Sequence, residues 1–352
     1  MSATPTWRMP AEWAPHERTW MAWPSAGYTL GESEAEVETA RRTWAAVARA
    51  VATYEPVTLV ATPADADLAR GYVTEAGPAR FAIDVVTAAL DDAWMRDIGP
   101  TFVLGKGGRL GAVTWVFNGW GGQEWASWEH DAQIATFVGE QAGATIIDSP
   151  LVNEGGGLHV DGEGAVLLTE TVQLDPGRNP GATHADVEGE LARTIGATTA
   201  IWLPRGLTRD YDEFGTRGHV DIVACFSEPG TVLLHWQEDP DHPDYAVSRE
   251  AEEVLRTARD ASGRALTVVK VAAPQTLTDD GGPVDWSYIN HLVCNGGVVA
   301  CAFDDPNDER AVQTLRGAYP GRQVTSVDAR PLFDRGGGIH CITQQQPLRP
   351  LL

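Results

Sequence analysis

The chain has 352 residues, of which 43% are hydrophobic and 21% charged, and it carries a net charge of −23. That apolar content is enough for a large globular core, while the acidity disfavours nucleic acid and anionic membranes and would draw a cationic small molecule towards a cleft. Residues 1–10 lack the apolar core of a signal peptide and no apolar run approaches bilayer length, so a cytoplasmic location is expected, with no membrane partner.

Residues 33–54 place Val37, Ala40, Trp44, Val47 and Val51 at helical spacing, and Ser33 with Glu36 three residues on has the form of a capping box. Strand-like runs follow at 57–61, 81–87, 113–117, 145–148, 165–169, 200–203, 219–226, 231–235, 266–271, 298–303 and 323–327, with helical segments between them. The class is α/β. Glycine-rich or polar segments fall beside strand ends at 94–97, 153–157, 218–221, 294–297 and 336–341, as expected when each repeated unit lends one residue to a common centre. Five such segments suggest a ring. No linker divides it, so residues 1–352 are expected to form a single domain. The absence of Gly-x-Gly-x-x-Gly after the first strand and of a P-loop argues against a nucleotide-binding doubly wound fold.

Cys225, Cys294 and Cys301 lie in apolar stretches without Cys-x-x-Cys spacing and read as core residues, neither zinc ligands nor a disulfide framework. Cys341 is different. It follows Gly336-Gly337-Gly338-Ile339-His340, where three glycines remove every Cβ from the approach, and it precedes a polar Thr-Gln-Gln-Gln run. Thiolate chemistry also needs a proton carrier and groups that fix the substrate; His219, Asp97, Asp221 and Glu154 supply these types. Read as a strand, Gly218-His219-Val220-Asp221 would project His219 and Asp221 from one face. Two carboxylates on opposite sides of a planar cation can each accept paired N–H bonds, the arrangement a guanidinium requires, and such a cation stabilises a thiolate. His159 repeats the His-x-Asp spacing and His340 adjoins the thiol on what would be the opposite strand face; neither is assigned to catalysis.

Met9-Pro10-Ala11-Glu12-Trp13-Ala14-Pro15-His16-Glu17, Trp94-Met95-Arg96-Asp97-Ile98-Gly99-Pro100, Asn118-Gly119-Trp120-Gly121-Gly122, Glu154-Gly155-Gly156, Gly218-His219-Val220-Asp221, Phe303-Asp304-Asp305-Pro306-Asn307-Asp308 and residues 336–347 together resemble the agmatine deiminase family, related to bacterial-type peptidylarginine deiminases. The resemblance implies a five-bladed α/β propeller with pseudo-fivefold symmetry, no metal or organic cofactor, and a site at its centre. It further implies Cys341 as nucleophile, His219 as general acid and base, Asp97 and Asp221 as guanidinium clamps, Glu154 as the partner orienting His219, and Trp94 as a pocket wall. The expected reaction is hydrolysis of agmatine to N-carbamoylputrescine and ammonia; deimination of arginine, peptidyl arginine or an alkylguanidine, amidino transfer, and a non-catalytic cation-binding module are the alternatives. A homodimer is left open.

The sequence departs from the family at Ile222, after His-Val-Asp, and at Arg217, before Gly218, and the preceding loop is long and acidic. Asp212 in that loop is expected to help hold a distal ammonium, and Asp210 and Glu213 to share its rim. Arg217 would read an α-carboxylate or pair with Asp212.

Overall fold

The computed structural model describes residues 6–350; residues 1–5, part of the segment read for a signal peptide, and residues 351–352 lie outside it. Five times the chain forms an antiparallel pair of strands, crosses over through a helix and returns as a strand parallel to the second. The first unit pairs Thr101–Gly105 with Leu110–Val116 and returns through Ile134–Gln141 to Thr145–Val152. The second joins Leu158–Val160, Ala165–Thr169, His184–Thr194 and Thr199–Leu203. The third joins Ala224–Glu228, Thr231–Trp236, Asp244–Thr257 and Thr267–Ala272. The fourth joins Leu292–Cys294, Gly297–Ala302, Asp308–Ala318 and Gln323–Asp328.

The fifth unit is made from both ends of the chain. Thr343–Pro347 pairs antiparallel with His16–Ala22, and helix Glu34–Val51 leads to the parallel strand Val57–Ala61, which Ile83–Thr87 extends. Closing the last unit with the first strand turns five sheets into a ring without a free end, the five-bladed α/β propeller implied by the sequence.

The helix of this closing unit shows how local sequence sets packing. The Ser33 side chain accepts from the Glu36 amide and Glu36 accepts from the Ser33 amide, so the capping box satisfies two helix-start donors. Ala40, Trp44, Val47 and Val51 are buried beneath it, and removing Trp44 would cost about 3–5 kcal/mol. The central strands Val57–Ala61 and Ala165–Thr169 are buried along their whole length, because helices and neighbouring units cover both faces.

The structure corrects three sequence expectations. His219 and Asp221 are not on a strand: Val220–Ile222 is a turn of 3₁₀ helix, and the strand begins only at Ala224. Cys341 and His340 lie in a turn before Thr343–Pro347, so strand alternation does not separate them. The 294–297 segment is a hairpin turn in a seam between units. There Asn295 accepts from the His16 amide at 2.9 Å and its own amide donates to Glu55 at 2.8 Å.

Candidate active site

Each unit sends the segment just before its first strand to the ring centre. Asp97 precedes Thr101–Gly105, Glu154 precedes Leu158–Val160, His219 and Asp221 precede Ala224–Glu228, Asn290 precedes Leu292–Cys294, and Cys341 precedes Thr343–Pro347. Asn290 therefore occupies the place that sequence reading gave to 294–297. Its Nδ2 donates to Cys341 Sγ at 3.2 Å and its Oδ1 accepts from the His340 amide at 3.0 Å. Polar type and position immediately before a strand were its only sequence signals.

The glycines around the thiol have a steric reason. A Cβ on Gly337 would come within 2.7 Å of the Trp94 ring and 3.0 Å of Cys341 Sγ, so the backbone passes between wall and sulfur only without a side chain. Trp94 is buried and packs edge-on against Trp44. Cys341 Sγ lies 3.6 Å from Asp221 Oδ2. Burial, then the charges of Asp221 and Asp97, push its thiol well above the ordinary range.

Asp97 is fixed by two donors, Trp120 Nε1 at 2.9 Å on one oxygen and the Gly156 amide at 3.1 Å on the other. Arg96, its sequence neighbour, turns away to Gln344 and Glu12. Burial lifts the Asp97 carboxyl to about 6; His219 opposes the shift, and Glu154 and Asp221 add to it.

His219 Nε2 meets Glu154 Oε2 at 3.1 Å, and Arg178 Nε donates to both Glu154 oxygens at 3.0 Å. Burial works against the charged imidazole, but Asp97 and Glu154 outweigh it and raise His219 to about 9. Burial likewise resists charge on Glu154, yet Arg178 and His219 hold it at about 2. The other ring nitrogen, His219 Nδ1, is 3.9 Å from Asp97 Oδ1 and has no hydrogen-bond partner within the protein. A Cβ at Gly156 would come within 2.5 Å of Nδ1, so the Glu-Gly-Gly motif clears room for the ring.

Asp221 Oδ2 meets His340 Nδ1 at 2.8 Å, while Asp221 Oδ1 is buried without a partner. On its far side His340 Nε2 meets Glu12 Oε1 at 2.8 Å, and His159 and Arg96 also approach Glu12 at 3.6 and 3.5 Å. Burial opposes ionisation of Asp221, but the hydrogen bond and charge of His340 keep its carboxyl below the ordinary range. Burial and Arg96 depress His340, and Glu12 and Asp221 reverse that into a net rise. Sequence reading set His340 aside and gave Glu12 no role; a buried contact between residues 12 and 340 leaves no local pattern to find.

The acidic loop also differs from expectation. Asp210 is buried and accepts from the amides of Thr216, Gly218 and His219 at 2.7, 2.7 and 3.0 Å, so its carboxylate is spent on shaping the loop although the residue also lines the cavity beside it. Arg217 faces Asp175 at 3.9 Å instead of Asp212. Asp212 and Glu213 are exposed and border a cavity outside the thiol. Among the described residues no group of three or more His, Cys, Asp or Glu side chains is arranged to hold a metal ion, and no helix is long and apolar enough to cross a membrane. Chemically, the centre offers a thiol, two carboxylates with one unpaired oxygen between them, and a charged imidazole with a free nitrogen.

The model of the Porphyromonas-type peptidyl-arginine deiminase family matches residues 8–347. A Streptomyces coelicolor protein provisionally named an agmatine deiminase is 60% identical over 343 residues, covering 97% of this chain and 99% of that one. The agmatine deiminase of Stutzerimonas stutzeri is 40% identical, covering 96% and 95%. Among solved structures, the agmatine deiminase of Enterococcus faecalis superposes with a TM-score of 0.89 at 31% identity, over 98% of this chain and 97% of that one.

Proposed function

The chain belongs to the Porphyromonas-type peptidyl-arginine deiminase family, and from that premise we infer that it is a hydrolase converting agmatine and water to N-carbamoylputrescine and ammonia. The observation that carries the reading is the convergence on Cys341 of Asp97, Asp221 and His219, with Asp221 Oδ1 and His219 Nδ1 buried and unpartnered. A buried unpaired acceptor is costly unless a ligand answers it, and a planar cation does so. Agmatine is favoured over peptidyl arginine because the thiol is only 5% exposed and the 210–217 loop touches Gly336 in front of it. A small substrate fits behind such a cover and a peptide backbone does not.

The proposed mechanism assigns one task to each group. Asp97 and Asp221 hold the guanidinium from two sides, fixing its carbon for attack; orientation of this kind is worth several kcal/mol. The incoming cation offsets the two carboxylate charges that raise the Cys341 thiol, so the thiol proton is released as substrate binds. Thiolate Sγ then bonds to the guanidinium carbon and gives a neutral tetrahedral adduct. Protonated His219 donates to one nitrogen, the C–N bond breaks, ammonia departs, and a cationic S-alkylthiouronium remains. Neutral His219 takes a proton from water as its oxygen adds to that carbon. The C–S bond breaks to restore the thiolate, and the ureido product sheds the proton that converts ammonia to ammonium. Glu154, anchored by Arg178, keeps His219 charged and oriented.

A thiol nucleophile, a cytoplasmic location, a single domain over 1–352 and a place in putrescine formation complete this reading. Incubating the purified chain with a panel of guanidino compounds, reading ammonium and ureido product together, tests it. Stoichiometric release from agmatine without an added amine supports hydrolysis, whereas turnover only with an amine acceptor would make it an amidinotransferase.

A further inference from the structure

A cavity of about 90 Å³ lies just outside the thiol, several times the room one water needs. Gly336 and Asp210 are both in its wall. Each leads directly to the catalytic centre. Gly336 is followed by Gly337, whose Cβ position is 3.0 Å from Cys341 Sγ, and Asp210 accepts from the His219 amide at 3.0 Å. Consecutive Cα atoms are ~3.8 Å apart, so the Gly336 edge of the cavity lies within roughly 8 Å of the sulfur. In agmatine six bonds separate the guanidine carbon from the distal nitrogen, as many as in two residues of extended chain, ~7 Å.

One carboxylate in this wall stands apart from the rest. Asp285 is 6% exposed, and among the described residues its side chain has no hydrogen-bond partner in another residue; the one hydrogen bond to its carboxylate comes from its own amide. Asp212, Glu213 and Asp334 also border the cavity but are exposed, where a charge is screened by water and contributes little. Arg209, the cation in the wall, is hydrogen-bonded to Asp279 at 2.6 Å; its charge also acts on Asp285, but burial outweighs it. A buried carboxylate whose one donor is its own amide is poorly compensated, and a further cation entering the cavity offsets that cost.

We propose that this cavity is the subsite for the substrate's distal ammonium and that Asp285 is its specificity-determining residue. The proposal rests on agmatine as the substrate and moves the reading of the tail from the acidic loop to a residue of the fourth unit. It gives the site a ruler: the fixed separation of Asp285 from Cys341 selects the number of methylenes between guanidine and amine.

The test compares agmatine with butylguanidine, which has the same guanidine and a tail ending in methyl. Asp285→Asn should lower kcat/KM for agmatine at least 30-fold and leave butylguanidine within about threefold. Equal losses on both compounds, or no loss on either, would overturn the assignment. Asp285→Glu carries the same test where the amide variant does not fold. Its carboxylate sits one methylene further into the cavity, so the preferred ω-aminoalkylguanidine should become one methylene shorter; an unmoved optimum rejects the ruler. If the wild-type chain releases no ammonium from either compound, the deiminase reading falls and the subsite with it. Equal wild-type efficiency on both removes only the subsite.

Discussion

The centre of the propeller contains two histidines in closely matched surroundings, only one of which has a nitrogen to spare. His219 lies between Glu154 and Asp97, with Arg178 behind Glu154. His340 lies between Glu12 and Asp221, with Arg96 near Glu12. Each is a buried imidazole between two carboxylates, and in each the carboxylates raise the ring above its ordinary value against the penalty of burial. The difference is geometric. Both His340 nitrogens are engaged at 2.8 Å, whereas His219 Nδ1 has no partner. A ring bonded at both ends can hold a neighbour in place; a ring bonded at one end can pass a proton to something that arrives. In the proposed mechanism His340 is therefore a positioning residue for Asp221, and His219 is the proton carrier.

The thiol serves both halves, so Cys341→Ser sets the floor: turnover should fall at least a thousandfold while isothermal titration still detects agmatine binding. Residual activity above a tenth would remove Cys341 from the reaction.

Asp97→Asn and Asp221→Asn each leave the guanidinium without one charged partner, a loss of about 3 kcal/mol or roughly 100-fold in kcat/KM. Both should lose on every guanidino substrate. A variant that only changed tail preference would put its carboxylate outside the clamp.

The two histidines should then separate. His219→Gln should lower kcat 10²–10⁴-fold, the usual span for a lost acid–base group. His340→Gln should act mainly by raising KM, about tenfold, because Asp221 loses its support. Equal kcat losses from the two would erase the distinction drawn from Nδ1.

The pH profile sharpens the same contrast. In the proposed mechanism Asp97, with its carboxyl at about 6, must ionise to hold the cation, and His219, at about 9, must keep its proton to expel ammonia. Thus kcat/KM should rise through about pH 6 and fall through about pH 9. Glu154→Gln removes a charge that raises His219 and should move the alkaline limb to lower pH, whereas Glu12→Gln should leave it in place. The sign for stability follows: His219's folded value lies above its unfolded 6.5, so its contribution is complete below pH 6.5 and is lost as pH rises through about 9. Melting temperatures across that window check it.

Arg217→Ala should do least. Its partner Asp175 is 3.9 Å away and the side chain is 44% exposed, so agmatine kcat/KM should stay within about fivefold. A larger change would give Arg217 a direct role in reading the tail.

The strands that escaped sequence reading show where pattern stops being informative. Val57–Ala61 and Ala165–Thr169 are apolar but for one threonine each, and the expected and observed bounds coincide. Thr343–Pro347 is polar, yet every residue in it is buried, because its side chains bond within their own unit and into the next: Gln346 accepts from Trp20 of the paired strand at 2.9 Å and Gln344 accepts from Arg96 at 2.6 Å. A strand that buries hydrogen bonds in place of hydrocarbon has no alternation to detect. His219 and Asp221 reach one centre through the tight 3₁₀ turn and not through strand alternation.

The sequence alone determined the α/β class, the capped helix after Ser33, four of the five segments that meet at the centre, and the types of group at Cys341, His219, Asp97, Asp221 and Glu154, because these depend on residue chemistry and short-range spacing. Only the tertiary structure decided that Asn290 represents the fourth unit, that Glu12 and His340 stand behind Asp221 as Arg178 and Glu154 stand behind His219, and that Asp210 is spent on loop amides while Asp285 faces a cavity. These are contacts between residues far apart in the chain, set by ring closure; their energies depend on burial and on which atom lacks a partner, and neither quantity is written in local sequence.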